Sequence, residues 1–281
     1  MVYLPILGAM ALATGTVLEK LVLKKRKVDI KLYQVASFFA IALCALPFLY
    51  FFWKMDAGAL EIKSIIVFFL VVFFSIIANL FVFYSLKWEK VTNLEPAKVL
   101  EPLFVILLAI IFSFFAEGLY ERNVKVVVPA LVAGLALVLT HINREHLEFN
   151  KYFLAAVAGS FFFALELVIS RLILDFYSPI SFYFLRSSLI FLFSWIIFRP
   201  KLRGLSTTVK WEIFATGAVW VVYRVLVYYG YLTLGVIFTT LLLMLAPVLV
   251  YAFAHFFLKE KMSWKNFVAA VVIVGSIIYA L

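Results

Sequence analysis

Hydrophobic positions run through this chain in long blocks. They do not alternate as in a strand, nor form the one-sided stripe of a soluble helix. Between charged or turn-forming breaks lie ten apolar stretches, approximately residues 2–23, 33–53, 64–86, 91–116, 124–141, 152–174, 179–198, 211–234, 236–258 and 264–281. Each is close to the ~20 residues that carry an α-helix across about 30 Å of hydrocarbon. Barrel strands would be shorter and would alternate polar with apolar. The pattern therefore predicts an all-α integral membrane protein of ten transmembrane helices, with loops too short to hold a soluble domain. The start, "MVYLPILGAMALATG", lacks a basic leader region and runs on into "TVLEKLVLKKRK", which reads as a first membrane helix and not as a removed signal.

The blocks repeat. A constant shift of 145 lays residues 79–112 over 224–257 without a gap. Tyr84 meets Tyr229, Pro102 meets Pro247, Leu100 meets Leu245, and Asn79 falls opposite Arg224. Two halves of five helices follow, residues 1–143 and 150–281. Because five is odd, the second half enters the membrane from the opposite side and the repeat is inverted. Inverted repeats are the architecture of secondary transporters, with the binding site near the midplane where the halves meet.

Composition agrees: 67% of residues are hydrophobic, against ~45–50% in soluble domains. The single cysteine, Cys44, excludes an intrachain disulfide and a cysteine metal cluster. The net charge of +10 sits in short loops such as "KKRK" (24–27), "RPKLR" (199–203) and "KEKMSWK" (259–265), which points to membrane lipids as partners and not to nucleic acid. Odd-numbered loops carry roughly 17 Lys and Arg and even-numbered loops about five. The positive-inside rule then places the odd loops in the cytoplasm and both termini outside.

Charges inside the spans are the candidate chemistry, since each costs upward of ~2.5 kcal/mol at mid-bilayer. They are Glu95, Lys98 and Glu101 in the fourth span, Glu166 in the sixth, Arg186 in the seventh, Arg224 in the eighth and His255 in the ninth. Glu95, Lys98 and Glu101 share one helix face. Pro102 removes the N–H that would bond the Lys98 carbonyl, a defect that suits a cavity wall and not a lipid surface. Pro247 is its counterpart as a helix kink. Pro96 and Glu95 lie near the helix start, where a proline costs little and an acid complements the dipole. The candidate substrate-binding set is Asn79, Tyr84, Lys98, Glu101, Glu166, Arg186, Arg224 and Tyr229, with Glu101 and Glu166 also candidates for proton coupling. A guanidinium fork suits a carboxylate and an acid suits an amine, so the set fits a zwitterion. The competing reading makes Lys98–Glu101, and Glu166 with the two arginines, structural ion pairs. Trp220 and Tyr228 line the path or pack between helices. His255 reads as a packed core histidine. His141 and His146, in "THINREHLEF", lack metal-site spacing, so neither metal nor cofactor is expected.

"FYSLKWEKVTNLEPAKVLEPLFVILLA" (83–109) and "LAPVLVYAFAHFFLKEKMSW" (245–264) resemble the EamA branch of the drug/metabolite transporter superfamily, and the resemblance extends over essentially the whole chain. In that family a tyrosine-rich helix turns tightly into a helix bearing a proline. A glutamate follows about a dozen residues later, before the last helix of the half. Pro247 and Glu260 fit that spacing; Pro102 and Glu117 are two residues further apart. Arg186 in "FYFLRSSLIFLFS" matches the family's arginine in the second helix of a half, whereas "YQVASFF" in the first half carries no basic residue. The resemblance implies a ten-helix carrier of small metabolites, often amino acids and frequently an exporter. It also implies two cytoplasmic termini, the reverse of the charge count.

No GxxxxGK[ST] loop, histidine cluster, paired aspartate or nucleophile motif occurs, so neither ATP-driven pumping nor enzymatic chemistry is expected. The sequence reads as a secondary transporter of the cell membrane, a monomer or homodimer moving a small polar metabolite by alternating access. Flux is coupled to protons through Glu101 or Glu166, or runs as uncoupled exchange. The alternatives are a lipid or headgroup translocator and a non-transporting scaffold.

Overall fold

A computed structural model describes residues 3–141, 150–200, 205–249 and 264–281. His146, His255 and Glu260 lie outside the described residues, as do the side chains of Glu95 and His141. The span expected at 236–258 is described as far as residue 249.

Within these residues the chain is helical, apart from one isolated bridge between Met55 and Tyr177. The helices are α1 (Tyr3–Leu23), α2 (Ile30–Phe52), α3 (Ile62–Trp88), α4 (Val91–Lys98), α5 (Leu100–Ser113), α6 (Val124–His141), α7 (Lys151–Arg171), α8 (Pro179–Phe198), α9 (Thr207–Thr233), α10 (Val236–Leu243) and α11 (Trp264–Ala280). Helices α4 and α5 are two parts of one apolar rod, and α10 continues through a turn at Met244 to residue 249. Counted as rods, seven are long and apolar enough to cross a membrane, and three further apolar helices are shorter. This is an all-α, multi-pass membrane protein. Its outer surface supports that assignment: Tyr50, Phe51, Phe52, Ile62, Phe73, Ile197 and Ile278 are exposed, a surface that suits lipid and not water.

Polar side chains fix where several rods begin. Asn150 accepts the N–H of Tyr152 and Phe153 to start α7. Ser178 accepts that of Ser181, with Pro179 at the first position of α8, and Ser206 accepts that of Val209 to start α9.

The rods pair in a regular way. α3 lies along α7, α2 along α8, α1 along α9, and α6 along α11, while α5 packs on α7 and α10 on α1, α5 and α6. Close approach of α3 and α7 depends on Gly159, where a Cβ would lie 2.7 Å from Val82 Cγ2 and 3.3 Å from the Ala78 carbonyl. The main core at the centre includes Phe182, Tyr183, Tyr228, Tyr231 and Val227. A smaller cluster of Val22, Val28, Tyr33, Phe83, Leu86, Phe153 and Ile213 packs near the odd-numbered loops.

The even-numbered loops are fastened together. The Asp56 N–H donates to the Phe176 carbonyl at 2.8 Å and the Ser178 N–H to the Lys54 carbonyl at 3.2 Å. The Ser178 hydroxyl adds a bond to the Phe52 carbonyl at 2.6 Å. At the next junction the Glu121 carboxylate accepts the N–H groups of Val236, Ile237 and Phe238 at 2.9–3.1 Å. It thereby caps α10 just after Gly235, whose φ of 88° favours glycine. Glu117, the residue that the family spacing singles out, is exposed nearby.

Candidate functional site

The helical path is interrupted at Val99 and again at Met244, 145 residues later. Each break lies three residues before a proline, Pro102 or Pro247. A proline cannot donate to the carbonyl four residues back and its ring crowds that carbonyl, so Lys98 and Leu243 each lose a helical partner. Beside the first break, the Ser160 hydroxyl of α7 donates to the Ala97 carbonyl at 3.0 Å. The bond falls one residue before the Lys98 carbonyl and ties the broken segment to α7.

Both breaks face one internal cavity of about 410 Å³. Its wall includes Asn79, Lys98, Glu101, Pro102, Arg186, Arg224 and Pro247 from the sequence-predicted set, and Trp220 from the aromatic candidates. Glu19, Tyr33, Tyr183, Tyr223, Tyr231 and Phe163 also face it. Two candidates lie elsewhere. Tyr84 stacks obliquely on Tyr152, with ring centroids 5.4 Å apart, and Tyr229 does not reach the wall although its carbonyl accepts the Thr233 hydroxyl at 2.9 Å.

Glu166 stands behind the wall. It is fully buried, and its Oε1 lies 3.1 Å from Arg186 Nε and accepts the Tyr228 hydroxyl at 3.0 Å and that of Ser170 at 3.3 Å. Oε2 lies 3.4 Å from Arg224 Nη1. That last contact is an ion pair without hydrogen-bond geometry, since neither atom has a hydrogen-bond partner. One carboxylate thus compensates two guanidiniums. Arg186 also donates from Nε to Ser75 Oγ of α3 at 2.9 Å, and Asn79 donates to the Ser75 carbonyl at 2.7 Å, so α3 and α8 meet through these groups. The guanidinium of Arg224 lies 5.2 Å from the Phe163 ring centre and 5.6 Å from that of Tyr223; that of Arg186 lies 5.5 Å from the Tyr183 ring. Glu101 interacts electrostatically with Arg224 and with Lys98.

Sequence reasoning passed over Glu19. It sits beside Lys20 and close to the basic run 24–27, so it reads as one of the charges at the end of α1. In the structure it is only 3% exposed, it faces the cavity, and its Oε1 has no hydrogen-bond partner. The equally buried Tyr33 hydroxyl, also on the wall, has none either. The signal available was helical phase: Glu19 follows Leu12 and Thr16 at intervals of four and three residues, and all three line the cavity.

Comparison with known proteins adds a family likeness for the second half. No curated protein matches the sequence. One solved protein crystal structure shares the fold at 19% identity, with a TM-score of 0.66 over 99% of this chain and 95% of that one. Residues 150–281 match the EamA-like transporter family. The matched stretch is the second half of the chain and holds Glu166, Arg186 and Arg224, so this half is similar to EamA-like transporters.

Proposed function

We propose that the protein is a secondary carrier that moves a small zwitterionic metabolite, an amino acid or a related compound, across the cell membrane by alternating access. The observation that carries this reading is an internal cavity, walled by both acids and bases, onto which two proline-broken helices open. Its volume falls in the range of small-molecule sites, about 300–1,000 Å³. A scaffold has no use for such a chamber, and burying its charges is costly.

An inverted repeat, halves 1–143 and 150–281, is supported by two independent features. The helix breaks at Val99 and Met244 are related by the same 145-residue shift that aligns the sequences. The packing scheme also maps onto itself when each rod is advanced by five: the α3–α7 pair becomes α9–α1, while α2–α8 and α6–α11 are self-paired. Rocking of the two halves around the cavity would expose it to each side in turn.

Arg224 is the group best suited to a substrate carboxylate, having an Nη1 without a hydrogen-bond partner and a place on the wall. Glu101, which also lines the wall, is better placed for an amine or a coupled proton than Glu166, which two arginines hold behind it.

The test is counterflow of a radiolabelled amino-acid mixture in proteoliposomes. Wild type accumulates label. The Lys98→Leu/Glu101→Leu double variant, which removes two charges of opposite sign, retains its fold in detergent and loses flux. Unchanged flux in that variant overturns the reading.

A further inference from the structure

Two buried charged groups that lack a hydrogen-bond partner lie far apart along the cavity. Gly8 of α1 packs against Leu226 of α9, and Gly15 against Val219 and Trp220, so these two helices run antiparallel. Arg224 therefore stands level with about residue 10 of α1, and Glu19 lies some nine residues further along, an axial separation of about 13 Å at 1.5 Å per residue. At the Arg224 end, Arg186 and Arg224 both face the buried Glu166, and Glu101 acts on Arg224 from the wall, yet Arg224 Nη1 has no hydrogen-bond partner. At the other end stands Glu19, whose Oε1 lacks a hydrogen-bond partner, as does the Tyr33 hydroxyl. Lys98 interacts electrostatically with Glu19 and with Glu101. Aromatic rings of Phe38, Phe83, Phe163, Trp220 and Tyr223 fill much of the remaining wall.

We infer that the substrate is an extended zwitterion, a linear molecule with its carboxylate at one end and its ammonium at the other. The carboxylate is held by Arg224 and the ammonium by Glu19 and the Tyr33 hydroxyl. Both poles already hold a buried group that lacks a hydrogen-bond partner, so each gains a charge-assisted bond on binding and leaves less unsatisfied. A small α-amino acid carries both charges on one carbon and reaches only one pole. The inference rests on the carrier reading above and narrows its substrate to ω-amino carboxylates and short peptides of similar length. It also assigns Glu19 as a binding residue.

The experiment is a thermal-shift and binding series on the purified full chain in detergent. The probes are glycine, 4-aminobutyrate, 6-aminohexanoate and 8-aminooctanoate, with hexanoate and hexylamine as single-charge controls. Affinity rises along the series to an optimum at least about tenfold tighter than glycine, a gain that one charge-assisted contact supplies. Both controls bind more weakly than the optimum. Glu19→Gln, which keeps the side-chain shape, lowers the optimum to the level of hexanoate, while Glu19→Asp restores part of the difference. Equal affinity for glycine and the longer compounds overturns the inference, as does a Glu19→Gln variant that binds like wild type. Binding is read without flux, so either result leaves the carrier reading standing. Proteoliposomes that move no solute overturn the carrier reading instead.

Discussion

Arg186 Nε lies 3.1 Å from Glu166 Oε1, and both side chains are almost wholly withdrawn from the surface. The pair crosses from α8 to α7, and Arg186 reaches on to Ser75 in α3, so three rods meet at one guanidinium. A buried ion pair of this kind gives little net stability against a well-packed apolar alternative, yet breaking it is expensive.

Replacing Glu166 by leucine leaves Arg186 and Arg224 facing each other without their shared counter-charge. Stability falls by about 3–5 kcal/mol, the usual cost of an uncompensated buried charge. Thermal unfolding in detergent reads the loss. A drop below ~1 kcal/mol would show that the arginines find compensation elsewhere and that Glu166 is not the counter-charge they depend on.

The cap on α10 makes a second prediction. Glu121→Gln weakens three backbone contacts at once and costs about 1–2 kcal/mol. Gly235→Ala is worse than its small size suggests. The backbone there has φ of 88°, and an added Cβ would lie 2.1 Å from Glu121 Oε1. The carboxylate must move to admit the methyl group, so the double variant costs less than the sum of the two single ones. Strict additivity in thermal unfolding would refute the contact.

Pro102→Ala restores a donor to the α4–α5 break and lets the rod run through. The variant is as stable as wild type or more so, because alanine is the better helix former. Under the carrier reading its flux falls, because the break lies in the cavity wall. Tm and counterflow rate measured on the same preparation separate the two effects; full flux with a continuous helix would dismiss the break as a working part.

Orientation is open to a direct reading. With roughly 17 basic residues on the odd loops against about five on the even ones, the positive-inside rule predicts that the odd loops face the cytoplasm. In a Cys44→Ser background, Lys25→Cys is labelled by an impermeant thiol reagent in inside-out vesicles and spared in right-side-out ones. The reverse pattern would favour the orientation implied by the family resemblance.

Much of the architecture could be read from the chain because hydropathy and proline act locally. Ten apolar blocks give ten rods, and the lost N–H of Pro102 points to an interrupted wall before any coordinates are known. Side-chain direction is a different kind of information. The 145-residue shift pairs Tyr84 with Tyr229, but equivalence in sequence does not say which way a ring faces. At ~100° per residue the neighbour Tyr228 turns inward to Glu166 while Tyr229 does not. Glu19 shows the opposite failure. Its local setting, next to Lys20 and the run "KKRK", is that of a solvated helix end, and only the packing of α1 against the other helices buries it. Glu121 was hidden for a third reason: its partners are amides 115–117 residues away, so the bond exists only once the halves have met.

Lys20 and Glu19 are neighbours with opposite allegiances. The Lys20 ammonium holds the carbonyls of Leu86 and Glu89, the latter at 2.6 Å, where α3 ends, while Glu19 turns toward the cavity. The last turn of α1 therefore joins the cavity wall to the end of α3. A cation bound at Glu19 is expected to be felt at the end of α3, one peptide unit away. Trp88 sits on that end, more than half exposed. With the five other tryptophans replaced, Trp220 on the cavity wall above all, Trp88 emission is expected to change when the chamber is occupied, and unchanged emission would break the link between the two.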